Sequence, residues 1–138
     1  MPQKDRFHEL VRRLLERAGW TITHDPLYLK LGLRKAFVDL GAETSLSAEL
    51  GTRKIAVEVK SFLNAALMSE LEKAIGQFVI YRALLGESEP DREMFVALPK
   101  NAYELLLDHE DGRAVIAACD LRLIIYDDEA EEITQWIE

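Results

Sequence analysis

The run Lys54-Ile55-Ala56-Val57-Glu58-Val59-Lys60 sets a carboxylate and an ammonium group two residues apart in strict alternation. Strand side chains have period two, so Glu58 and Lys60 share a face with Lys54 and Ala56, while Ile55, Val57 and Val59 share the other. Such a pair lies about 7 Å apart along the strand, a span that can hold a divalent cation and a phosphate oxygen together. Asp39, in an upstream strand-like run, offers a second carboxylate. Two carboxylates suit Mg²⁺ or Mn²⁺, which take oxygen ligands with water and phosphate completing the shell. The Val59 carbonyl is one more such oxygen. A cation held there would activate water near neutral pH and relieve charge on a phosphorane-like transition state. Lys60 would orient that water or steady the charge. Taken alone, the same run is a half-buried strand with a wet Glu/Lys face. Asp39 is then a strand-end acid before a turn at Gly41, with Glu43 and Glu49 as competitors for the role of first acid.

Composition bounds what can position these groups. A chain of 138 residues with 49% apolar residues suits one domain with one core. Its uninterrupted apolar runs are too short to span a membrane, and Met1 to Arg6 shows no hydrophobic signal-peptide core. The lone cysteine, Cys119, makes no intrachain disulfide and reads as a small core hydrophobe, which fits a reducing cytoplasm. No Cys/His cluster points to structural zinc. Seventeen basic and twenty-five acidic residues give a net charge of −8, unlike the basic excess of a free-standing DNA binder. The acid concentrates at Asp127 to Glu132, and the first sixty residues carry a dense set of arginines and lysines.

The elements follow from periodicity. Phe7, Leu10, Val11, Leu14, Leu15 and Ala18 form a stripe at three- and four-residue spacing, which predicts a helix over 4–18 stopped by Gly19. His8 sits at the edge of that stripe, and Glu9 nearly opposite it. Strands are predicted at 20–24, 27–31, 35–40 and 45–50, the last pairing with 55–60 across a loop at 51–54. Gly41 would mark a bulge if Asp39 belonged to one long strand. Ser69-x-x-Glu72 matches a capping box and starts a helix that Gly86 ends, with Leu71, Ala74, Ile75, Phe78, Tyr81 and Leu85 inward. Gln77 and Tyr81 are neighbours on it. A loop at 87–93, a buried strand at 94–98, helices at 101–107 and 112–119, and a terminal hairpin of 121–126 with 132–137 complete the chain. The acidic turn of that hairpin would repel phosphate, so it is expected away from any DNA-facing surface, open to a protein partner or simply solvated.

Asp39…Glu58-x-Lys60, in a helix–strands–helix–strand order, resembles the D…(D/E)-x-K signature of the restriction-endonuclease-like PD-(D/E)XK nuclease superfamily. Gln77-Phe78-Val79-Ile80-Tyr81 resembles the Q-x-x-x-Y element of RecB-like nucleases, and His8 falls where such members often place a metal-binding histidine. Gly19 to Pro26, Val38 to Glu43, Ile55 to Phe62 and Gly76-Gln77-Phe78 are similar, in the same order, to XisH, the cyanobacterial controlling factor for excision of the fdxN DNA element. The resemblance implies an α/β restriction-endonuclease-like fold with a central mixed sheet flanked by helices. It implies a metal site of Asp39, Glu58 and His8 holding Mg²⁺ or Mn²⁺, with Lys60 and Gln77 catalytic and Tyr81 positioning the substrate. It also implies DNA and a small XisI-like protein as partners; a homo-oligomer is left open. Two functions fit: a divalent-metal-dependent endonuclease in programmed DNA excision, or a nuclease-like regulatory subunit that binds DNA or a partner without cutting. A third, a protein-interaction module with neither activity, uses none of these residues.

Overall fold

The fold is given by a computed structural model, which describes residues 3–138. Met1 and Pro2, part of the stretch read for a signal core, lie outside the described residues. The elements run α1 (Gln3–Arg17), β1 (Thr21–His24), β2 (Leu27–Leu31), β3 (Arg34–Val38), β4 (Leu40–Ser47), β5 (Gly51–Val59), α2 (Leu67–Ser88), β6 (Arg92–Pro99), α3 (Lys100–Leu106), α4 (Glu110–Cys119), β7 (Leu123–Asp127) and β8 (Glu132–Ile137). This is an α/β fold with a six-stranded mixed sheet in the order β1-β4-β5-β6-β7-β8, four helices, and a two-stranded ribbon of β2 and β3. The central β5, β6 and β7 are parallel, and the outer pairings antiparallel. Among the described residues no helix is long and apolar enough to cross a membrane.

Alternation along β5 divides the core. Ile55, Val57 and Val59 meet Phe7, Leu10, Val11, Leu14 and Leu15 of α1. Ala56 joins the opposite layer, with Leu71, Ala74, Phe78 and Leu85 of α2 and residues of α3 and α4. Glu58 shares the parity of Ala56, so it lies on the α2 side of the sheet. Cys119 is half-buried against that layer.

Several boundaries differ from the periodicity reading, among them the loop expected over 87–93, whose two ends belong to α2 and β6. The strand expected over 35–40 breaks at Asp39. Val38 packs in the α2 layer and Leu40 in the α1 layer, because β3 pairs only with β2 whereas β4 enters the main sheet. The β4–β5 hairpin turns at 48–50 rather than 51–54, leaving Leu46 and Leu50 exposed. Ser47 Oγ accepts from Leu50 N–H, and Gly51, at φ 74°, takes the left-handed backbone that side chains disfavour. The extra residue near Gly41 belongs to β1, where the pairing skips from Ile22–Ala42 to His24–Gly41. A Cβ on Gly41 would stand 3.0 Å from the His24 ring. Helix α2 starts at Leu67, not Ser69, with Asn64 Oδ1 accepting from Ala66 N–H at its entry and no side-chain cap at Ala66. It runs through Gly86 to Ser88 and stops before Pro90.

Candidate active site at the end of β5

Strand β4 covers β5 only as far as Leu40 opposite Val57, so Glu58 and Val59 project beyond that neighbour. Asp39 fills the gap. Its Oδ2 accepts from Val59 N–H at 2.8 Å, and its own N–H donates to Glu58 Oε1 at 3.1 Å. The reciprocal pair replaces missing ladder bonds and forces the two carboxylates together. Lys60 Nζ lies 3.5 Å from Glu58 Oε2. The Lys60 backbone is clamped at both ends: its N–H donates to the Ala97 carbonyl at 2.8 Å, and its carbonyl accepts from Tyr126 Oη at 2.8 Å. Two residues on, Phe62 takes φ 51°, a left-handed backbone rare for a bulky residue, and buries its ring in the core.

The electrostatics of this corner are unbalanced. Glu58 is 5% exposed. Burial first, then the negative Asp39, pushes its carboxyl up to about 7, against the opposing pull of Lys60. One lysine does not neutralise two adjacent carboxylates. The Tyr81 hydroxyl is raised as well, by burial first and then by the charges of Glu58 and Asp39.

Helices α1 and α2 complete the site. His8 Nε2 lies 2.8 Å from Asp25 Oδ1, and its Nδ1 4.0 Å from Asp39 Oδ1. A carboxylate only accepts, so Nε2 carries the proton and donates to Asp25. In the neutral ring the Nδ1 lone pair then lies on the Asp39 side. A carboxylate behind an imidazole whose other nitrogen faces a site is the arrangement of metal-bound histidines. Arg12 holds Asp25 Oδ2 at 2.5 Å. On α2, Gln77 Oε1 is buried with no hydrogen-bond partner. A cavity of about 240 Å³ opens beside it, lined by Val59, Lys60, Ser61, Glu70, Lys73 and Gln77.

The structure thus brings Asp39, Glu58 and Lys60 together, sets Gln77 and Tyr81 beside them, and places His8 against Asp39. Glu43 and Glu49 are elsewhere. Glu43 pairs across the sheet with Lys54 and lies 3.8 Å from Arg92, and Glu49 is exposed in the β4–β5 turn. Five participants escaped the sequence reading: Asp25, which holds His8, Arg12, which holds Asp25, and Ser61, Glu70 and Lys73, which line the cavity. Two had a signal. Lys73 is one helical turn before Gln77, and Arg12 one turn after His8. The acidic C-terminal turn is partly engaged with α1, since Glu131 pairs with Arg13 at 3.4 Å and its carbonyl accepts from Arg17. Asp127 accepts from the amides of Glu129 and Ala130.

Fold and cluster together define an α/β protein with a carboxylate pair and a lysine gathered where its central parallel strand outruns its neighbour. Comparison with known families narrows the class. The family model described as XisH protein matches residues 1–134, and the chain belongs to the XisH family. It is similar to a crystal structure of an XisH family protein from Nostoc punctiforme PCC 73102, at 38% identity and TM-score 0.83, covering 96% of this chain and 98% of that one. It is also similar to the crystal structure of an fdxN element excision controlling factor protein from Anabaena variabilis, at 38% identity and TM-score 0.86, covering 97% and 99%. Comparison with curated proteins gives no match.

Proposed function

We propose that this chain is a divalent-metal-dependent DNA endonuclease of the restriction-endonuclease-like, PD-(D/E)XK class, serving excision of a DNA element. The observation that carries the reading is the forced carboxylate pair, Asp39 against Glu58, with Lys60 at 3.5 Å. Two like charges held in a largely buried corner are costly unless a cation joins them. The free atoms fit Mg²⁺ or Mn²⁺: one oxygen each of Asp39 and Glu58 is not used by a backbone bond, and Gln77 Oε1 is buried and unpartnered. His8 Nδ1, at 4.0 Å from Asp39 Oδ1, is within the roughly 4.2 Å that two ligands at about 2.1 Å from one ion can span. When bound, the cation supplies Lewis acidity and a low-pKa water.

The chain's own groups do the rest. Asp39 and Glu58 would hold the cation, and His8, oriented by Asp25, would turn in from the Asp39 side as a further ligand. Lys60, fixed by its clamped backbone, donates toward the attacking water or a phosphate oxygen. Gln77 and Tyr81 orient the phosphate, and Ser61 and Lys73 line the space next to it. Activity is expected to rise as pH passes about 7, where the metal-free Glu58 carboxyl ionises and competes less with its proton for the cation.

A second reading has its own support. The net charge is −8, and the similar Anabaena variabilis protein is described as a controlling factor. In it the chain is a silent nuclease-like subunit acting with a small XisI-like protein. Lys60→Ala and Glu58→Ala separate the two. They are assayed beside wild type on branched, nicked and duplex DNA, with Mg²⁺, Mn²⁺ or chelator. Metal-dependent cleavage lost in both variants, with DNA binding kept, is the expected result. A wild type that never cuts, alone or with the small partner, moves the assignment to the regulatory subunit.

A further inference from the structure

The β2–β3 ribbon buries one face and exposes the other. Leu27, Leu29 and Val38 are buried in the α2 layer. On the outward face Tyr28 is 66% and Phe37 54% exposed, directly paired across the ribbon with ring centroids 6.3 Å apart, edge to face. The next outward pair is Lys30 opposite Lys35. Like charges directly opposite are destabilising on a sheet, and none of the ion pairs among the described residues involves Lys30, Lys35 or Arg34. At the tip Leu33 is fully exposed beside Arg34. A face with two open aromatic rings and two lysines in no ion pair, on a chain of net charge −8, is anomalous for mere solvation.

Its position says what it meets. Both ends of the ribbon are rooted in the candidate site: Asp25-Pro26 precedes β2, and Asp39 follows β3. From Asp39 the ribbon extends about 17 Å to its tip. An open aromatic pair followed by a lysine pair suits a strand whose bases are unpaired. Rings stack on bases, and lysines contact the phosphates between them.

We propose that the outward face of the β2–β3 ribbon binds a DNA strand with unpaired bases and leads it to the carboxylate cluster, so that the preferred substrate is flapped or branched rather than continuous duplex. This rests on the DNA-cleaving reading of the site and names its substrate class.

The test is binding in chelator, where no cleavage occurs. Fluorescence anisotropy is measured on short labelled single-stranded, flapped and fully duplex DNA. The variants are Tyr28→Ser/Phe37→Ser and Lys30→Gln/Lys35→Gln, with a thermal melt of each confirming the fold. Wild type is expected to prefer flapped and single-stranded DNA, and the ring variant to lose about tenfold or more of that affinity. The lysine variant should lower the log–log salt slope by about 1.4, at roughly 0.7 per phosphate contact on a single strand. Equal affinity for duplex with no effect of the rings overturns the proposal. So does a wild type that binds none of these DNAs, or a wild-type dimer in analytical ultracentrifugation that the ring variant dissociates, which would make this face an interface between copies. Cleavage that needs Glu58 and Lys60 but ignores all four ribbon residues leaves the nuclease standing and removes the ribbon. Ribbon-dependent binding without cleavage does the reverse.

Discussion

Among the described residues two charged side chains are buried, Glu58 and Arg92, each 5% exposed. They sit on the neighbouring parallel strands β5 and β6, separated along them by roughly 13 Å at about 3.3 Å per residue. Arg92 is fully matched. Its guanidinium donates to the Ile55 carbonyl at 2.9 Å, to the Ala42 carbonyl at 3.4 Å, and to both Glu89 oxygens at 3.2 Å, with Glu43 at 3.8 Å. Glu58 faces a second carboxylate and a single lysine, with an unpartnered amide oxygen in the same corner. One buried charge is answered on every side and knits β4, β5, β6 and the end of α2 together. The other is left short of positive charge. Buried ions that are fully paired hold a fold, and buried ions that are underpaired hold a place for something else.

The largest effect should come from the matched end. Arg92→Met strips the Ala42 and Ile55 carbonyls of a donor and leaves Glu89 and Glu43 unpaired. It is expected to cost about 3 kcal/mol or more, read as a lower urea midpoint, while Mn²⁺ affinity is unchanged. Next is the cation at the underpaired end. Above pH 7, Mn²⁺ at a hundred times its Kd should stabilise wild type by about 2.7 kcal/mol, read as a rise in Tm. Glu58→Gln should abolish that rise.

A smaller effect follows from the proton. The Glu58 carboxyl is raised to about 7 in the fold, so between roughly 4.5 and 7 the native state binds the proton that the unfolded chain releases. This group therefore stabilises relative to its ionised form below about 4.5, and that advantage is lost as pH rises through 7. Stability of Glu58→Gln minus that of wild type, in metal-free buffer, should climb over this window by on the order of 3 kcal/mol and then level off. A flat difference would show that Glu58 is not penalised by its surroundings. The smallest effect is Glu43→Gln. Its carboxylate is a third exposed and 3.8 Å from Arg92, so the change should cost under about 1 kcal/mol and leave the Mn²⁺ response intact. Loss of that response would return Glu43 to the site.

The underpaired end was legible in the sequence because it is written in short-range pattern. Alternation from Lys54 to Lys60 fixed which face carries Glu58, and helical spacing put Gln77 beside Tyr81. The matched end was not. Arg92 lies in Glu-Ser-Glu-Pro-Asp-Arg-Glu, which has the composition of a wet loop, yet two of its acceptors are 37 and 50 residues away. Local composition has no access to such pairings. The same limit hid the break at Asp39. Period two carried the apolar pattern smoothly from Ala36 through Leu40, but pairing partners decide where a strand changes sheet, and here those are β2 on one side and β1 with β5 on the other. The Ser69 box misplaced the start of α2 because Asn64 had already turned the chain into the helix. His8 was visible as a boundary residue, but its orientation depends on Asp25, which local pattern presented only as half of an Asp-Pro turn.

The most direct measurement is anomalous scattering from crystals soaked in Mn²⁺ above pH 7. The expected result is one ion within about 2.2 Å of an oxygen of both Asp39 and Glu58, with His8 Nδ1 turned toward it. Density instead at the exposed group of His8, Glu9 and Asp25, whose ligand atoms lie within 4.8 Å of one another, or no ion at all while Glu58 is ionised, would contradict a metal site at the end of β5.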